Sequence, residues 1–193
     1  VPQHVSHSVL QLPPKSHLNS SLFKKIAKFT SLGVRNKEFS VVQVIVPTRA
    51  SVDMAKKELR SFFNDAEIVT LVGGTSTKEY VDKWLTGQVQ IAVVTTVGIV
   101  GLNNRKCDAV IHVGTYFGTQ AYIQAALRAG RAGQSSKSIF FHSASLWQNE
   151  SAVLQDNFKI EACMAAGVDV SDTLVCSALS SKSIKKFAEM TSC

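Results

Sequence analysis

Two hydrophobic patterns alternate along the chain. Short, nearly unbroken runs rich in Val, Ile and Phe occupy residues 41–46, 68–72, 89–96, 109–113 and 138–143. Their length and β-branched content predict strands buried on both faces. Between them, apolar positions recur with helical period. Residues 19–32 carry Leu22, Ile26 and Phe29 with lysines between, behind a cap at Asn19 or Ser20. Residues 51–63 form a second helical stretch with a serine cap, and Ser76-Thr-Lys-Glu79 is a capping box opening a third that runs to about Leu85. Residues 119–129 form a fourth. Strands alternating with helices of this length predict an α/β fold: a three-layer domain with a mostly parallel sheet and helices on both faces.

The flanks read differently. Residues 1–18 hold Pro13, Pro14 and scattered histidines and read as an irregular segment or linker. Residues 19–147 form the main domain. Residues 148–193 read as a small helical appendage of two polar helices around a loop. There is no internal repeat.

Charge sharpens this division. Residues 1–137 hold 17 Lys/Arg against 8 Asp/Glu, and residues 138–193 hold 4 against 6. The positive excess belongs to the main domain, which favours a polyanionic partner. No apolar run approaches the roughly 20 residues of a membrane span. The start, Val1-Pro-Gln-His, lacks an initiator Met and any signal-peptide pattern, and is read as a fragment of something longer or a processed product. Cys107, Cys163, Cys176 and Cys193 are widely spaced without a C-x-x-C pair, which argues against a disulfide framework or self-contained zinc site. Cys107 is expected to be reduced, beside a buried strand, in an intracellular protein.

Candidate chemistry clusters where ligands sit in parallel α/β folds, beyond the carboxyl ends of strands. Thr48 and Arg49, Gly73 and Gly74, Thr95 and Thr96, and Gly114 all fall there. Gly73-Gly-Thr-Ser-Thr-Lys78 lacks the G-x-x-x-x-G-K-[ST] spacing, so its amides would not wrap a phosphate. No Asp-Glu pair at a strand end can hold magnesium. In residues 124–133, Gln-Ala-Ala-Leu-Arg-Ala-Gly-Arg-Ala-Gly, helical geometry would put Gln124, Arg128 and Arg131 on one face. Guanidinium forks meet phosphate bidentately and never deprotonate. A solvated helix face is the competing reading of the same stripe.

The order of these pieces resembles the second RecA-like domain of a superfamily-two helicase, and most closely the RecQ-like branch. Val44-Ile-Val-Pro-Thr-Arg49 with the helix after it resembles motif IV. Residues 90–103, ending Gly101-Leu-Asn103, resemble motif V. Ala109-Val-Ile-His-Val-Gly114 is similar to the strand that follows, and residues 122–133 resemble motif VI, Q-x-x-G-R-A-G-R-x-G. The resemblance implies the C-terminal motor lobe of an ATP-dependent nucleic-acid helicase, with DNA favoured over RNA, nuclear in a eukaryote. It implies ATP and Mg2+ held mainly by an N-terminal RecA-like lobe of the same full-length chain. Arg128 and Arg131 would be arginine fingers and Gln124 would orient that face. Arg49, Thr48, Thr95 and Thr96 would contact the nucleic-acid backbone. Gly101, Asn103 and Gly130 would couple that site to the ATP cleft.

Departures from the family pattern are specific. Leu127 replaces the first motif VI glycine, Ile99 stands where motif V often has glycine, and Leu71-Val-Gly-Gly74 lacks the family's histidine. These departures motivate a competing reading as a pseudo-helicase lobe that binds nucleic acid or protein without motor activity. A fragment of an RNA-virus superfamily-two helicase is a third. Cys163 and Cys176 could be remnants of the RecQ zinc-binding subdomain, whose C-x-x-C pairs are absent here.

Overall fold

The computed structural model describes residues 4–12, 16–74, 78–95, 103–114 and 124–142. Six strands form one sheet: β1 (Val5–Gln11), β2 (Val42–Val46), β3 (Ile68–Leu71), β4 (Ile91–Thr95), β5 (Ala109–Val113) and β6 (Ser136–His142). Their spatial order is β1-β6-β5-β2-β4-β3, and every pairing is parallel. All six carboxyl ends therefore line one edge of the sheet and all six amino ends the other.

Alternation along the strands divides the core into two layers. Val42, Val44 and Val46 of β2, with Ile111 and Phe141, face α1 (Ser20–Arg35) and α2 (Arg49–Leu59). Ile45, Val94, Val110 and Phe140 face the other way, onto Trp84 of α3 (Lys78–Leu85) and onto Ala125, Ala126 and Ala129. Strands covered on both faces take apolar side chains at most positions, which is why they read as nearly unbroken runs; Gln43, His112 and Ser138 are buried polar exceptions.

Local chemistry sets the helix ends. Asn19 caps α1, its Oδ1 accepting from the Leu22 amide at 3.0 Å. The α2 cap is Thr48 rather than the serine expected at position 51; its hydroxyl accepts from the Ser51 amide at 3.1 Å and starts the helix at Arg49. Among the described residues no helix is long and apolar enough to cross a membrane.

The irregular segment expected over residues 1–18 instead contains β1, paired in register with β6 from Val5↔Ser136 to Gln11↔His142. Val5, Ser8, Leu10 and Leu12 are buried. β1 lies at the sheet edge, where few apolar positions are needed, so its sequence carries little strand signal. The appendage at residues 148–193, with Cys163 and Cys176, lies outside the described residues.

Candidate functional site

At the carboxyl-end edge, β2 and β4 finish level, Val46 beside Thr95. Beyond β2, Thr48 and Arg49 are exposed on the first turn of α2. Arg49 Nη2 donates to the Gly73 carbonyl at 3.1 Å, linking the turns that follow β2 and β3. Thr48 Oγ1 also lies 2.8 Å from Ser51 Oγ. Thr95 is buried at the end of β4. Gly114, at φ +88° after β5, passes so close to Pro47 that a Cβ would stand 3.0 Å from its Cγ. Thr48, Arg49, Gly73 and Thr95 thus share one edge, as the sequence predicts. Thr96 and Gly101 lie outside the described residues.

The arginine-rich segment lies at the opposite edge. Gly130 donates its amide to the Cys107 carbonyl at 3.0 Å, next to the start of β5. Its φ of +72° favours glycine, and a Cβ there would run into Ser136 Oγ, at the start of β6, and the His4 ring. Gln134 Nε2 donates to the Arg105 carbonyl at 2.8 Å and to that of Cys107 at 3.2 Å, while its Oε1 accepts from the Ala132 amide at 3.0 Å. The Asp108 carboxylate accepts from the Ser40 and Val41 amides at 2.9 and 2.8 Å. Asn104 is buried; its Nδ2 donates to the Trp84 carbonyl at 2.7 Å and its Oδ1 accepts from the Lys106 amide at 2.8 Å. Asn103 beside it is exposed.

The shared helical face expected for Gln124, Arg128 and Arg131 does not form. Residues 124–126 are helical, but residues 127–132 are turns. The Arg128 amide bonds to the Ala125 carbonyl, three residues back, at 3.1 Å, which tightens the backbone out of α-helical register. Gly130 then turns it away. Gln124 is exposed, Arg128 is half-buried, and Arg131 is exposed with its Nε donating to the Leu127 carbonyl at 3.3 Å. Leu127 is half-buried. The two guanidiniums occupy different surroundings.

Cys107 is a free, buried thiol, as expected. Burial pushes it up to about 12, reinforced by Asp108 and opposed by the nearby charge of Arg128. It stays a protonated packing residue. Among the described residues no group of three His, Cys, Asp or Glu side chains could hold a metal ion. The pattern pointed to neither Gln134 nor Asn104 as a site residue; the signals were a Gln directly after a glycine turn and a paired Asn before a buried strand.

The helicase conserved C-terminal domain family matches residues 24–133. No protein of curated function matches the chain by sequence. Among solved structures, the chain is similar to the E. coli DEAD-box protein SrmB bound to the regulator of ribonuclease activity A (TM-score 0.61, 18% identity, 80% of this chain and 84% of that one). It is similar to domain 2 of the Mss116p DEAD-box helicase bound to an RNA duplex (TM-score 0.60, 17% identity, 73% and 55%). It is also similar to S. cerevisiae Dbp5 bound to Gle1 and IP6, both proteins being single-residue variants (TM-score 0.62, 16% identity, 98% and 47%). The chain spans about half the length of those last two. At such identities the likeness is one of fold.

Proposed function

The chain belongs to the helicase conserved C-terminal domain family of superfamily-two helicases, and from that premise we propose that it is the second motor lobe of an ATP-dependent, nucleic-acid-tracking enzyme. The exposed Arg131, on a turn fixed by Gly130 and Gln134, is the observation that carries this reading. ATP and Mg2+ are held mainly by an N-terminal RecA-like lobe of the same full-length chain. ATP bound there would close the two lobes, and hydrolysis of its terminal phosphoanhydride bond would open them again. Arg131 reaches its phosphates as an arginine finger, Arg128 supports it from its half-buried position, and Gln124 orients the same surface. Gly130 and Asn103 couple this edge to the rest of the lobe, with Gly101 in the same role. Thr48, Arg49 and Thr95 contact the nucleic-acid backbone at the opposite edge, without reading bases, and Thr96 shares that role. The domain occupies residues 19–147, joined by β1, and residues 148–193 form an appendage. The protein acts inside the cell, in the nucleus if eukaryotic.

A RecQ-like placement and a preference for DNA rest on motif order alone. The solved structures to which the chain is similar are DEAD-box proteins, one of them bound to an RNA duplex. Stimulation of ATP turnover by single-stranded DNA and by RNA of matched sequence separates the two substrates.

The motor reading is tested by nucleic-acid-stimulated ATP hydrolysis in the full-length protein. Arg131→Ala lowers kcat by roughly 10³-fold or more, the range of arginine fingers in other phosphoryl-transfer enzymes. An unchanged rate overturns the motor. The half-burial of Arg128, next to Leu127 in the family's glycine position, favours a second reading: a lobe that binds nucleic acid without turnover. That reading expects no stimulated hydrolysis in the wild type and retained oligonucleotide binding.

A further inference from the structure

We infer that Arg105 is a further phosphate-contacting side chain of this lobe, carried on a turn that Gln134 ties to the turn bearing Arg131. Two turns meet at the amino-end edge, one at residues 105–106 and one at residues 127–132. The Gln134 amide spans them, donating to the Arg105 carbonyl at 2.8 Å and accepting from the Ala132 amide at 3.0 Å. On the far side of the first turn, buried Asn104 is fixed to the Trp84 carbonyl and to the Lys106 amide. The Arg105 backbone is therefore held from both directions while its side chain is exposed. Arg131 is exposed on the second turn.

Among the described residues neither Arg105 nor Arg131 forms an ion pair. The acid nearest in sequence, Asp108, already accepts from the Ser40 and Val41 amides. Each of the two crosslinked turns thus carries an exposed guanidinium, whose planar fork suits phosphate oxygens. Because the turns are fixed, little backbone freedom is lost when a phosphate binds.

Lys106 supplies an internal contrast. Its stem lies across Gly87, where a Cβ would meet Lys106 Cδ at 2.6 Å and Nζ at 3.2 Å. That puts its charge at the carboxyl end of α3, where the helix dipole favours a cation. Lys106 stabilises a helix end; Arg105 faces solvent. The inference rests on the motor-lobe reading only for the claim that Arg131 meets phosphate.

The test uses the full-length protein with two probes, inorganic tripolyphosphate and a labelled single-stranded oligonucleotide, each titrated at two salt concentrations. Arg105→Ala weakens at least one probe about tenfold, and for the oligonucleotide lowers the salt slope by about 1. Lys106→Ala removes the same charge and weakens either probe far less. Gln134→Ala keeps every cation yet loses part of the same affinity; its melting curve separates a lost crosslink from a lost fold. A loss confined to tripolyphosphate assigns Arg105 to the nucleotide, and one confined to the oligonucleotide assigns it to the nucleic-acid backbone. Equal losses in Arg105→Ala and Lys106→Ala, or none in either, overturn the inference. If Arg131→Ala is also silent toward both probes, the phosphate role of the edge falls with it; if Arg105→Ala alone is silent, only the inference falls.

Discussion

At the carboxyl-end edge of the sheet, Thr48 and Arg49 stand exposed on the first turn of a helix, tied among the described residues by a cap and a bond to the Gly73 carbonyl. At the amino-end edge, Gly130, Gln134 and Asp108 cross-link the loops that precede β2, β5 and β6, and Asn104 ties the loop before β5 to α3. One edge presents exposed side chains at the start of a helix. The other fixes its backbone first and leaves guanidiniums at the end of a rigid support. A surface that must release and regrip a strand suits the first construction. A surface that must meet a phosphate at one position suits the second, since orientation fixed in advance is not lost again on binding.

Replacing a glycine at each edge tests this contrast most strongly. Gly130 and Gly74 both have positive φ, +72° and +79°, but a Cβ at Gly74 meets nothing within 4 Å. Gly130→Ala combines left-handed strain with overpacking against Ser136 and His4 and destabilises the fold by roughly 2–4 kcal/mol. Gly74→Ala carries the strain alone, about 1 kcal/mol. Urea denaturation of the two variants measures the difference; equal losses would mean that the amino-end edge is no more tightly built.

Asp108→Ala comes next. Its carboxylate takes amides from Ser40 and half-buried Val41, and charged hydrogen bonds of this kind contribute about 1.5–3 kcal/mol. A stability loss of about 2 kcal/mol is expected, with faster amide exchange at Val41. Unchanged exchange there would show that this loop is held by something other than Asp108.

The sheet was largely legible in the sequence because strands buried on both faces are mostly apolar. β1 was not: an edge strand beside one neighbour tolerates Ser6, Ser8 and His7, which carry no strand signal. Thr48, Arg49 and Thr95 were legible as a set because parallel topology forces carboxyl ends together. The arginines were found but misplaced relative to each other. Ala125, Ala126, Leu127, Arg128 and Ala129 all favour helix, so the pattern ran the helix on; the turn bonds and the Gly130–Cys107 link that end it depend on tertiary contact. Gln134 and Asn104 act through carbonyls distant in sequence, which no local pattern encodes.

The smallest expected effect concerns the looser edge. The Thr48 hydroxyl has one proton and two lone pairs. It accepts from the Ser51 amide and lies 2.8 Å from Ser51 Oγ, so capping uses its acceptor capacity while its proton can turn either to Ser51 or outward. Thr48→Ala is expected to destabilise the fold by roughly 0.5–1 kcal/mol, as for an exposed N-cap, and Thr48→Ser to restore it. If Thr48 also donates to a nucleic-acid phosphate, Thr48→Ala weakens oligonucleotide binding and Thr48→Ser restores that as well, with a smaller loss than Arg49→Ala because a neutral donor makes the weaker contact. Thermal melts read the first quantity and fluorescence anisotropy the second. A stability loss with no affinity loss would leave Thr48 a helix cap alone, and Arg49 would then carry the edge's grip on the strand.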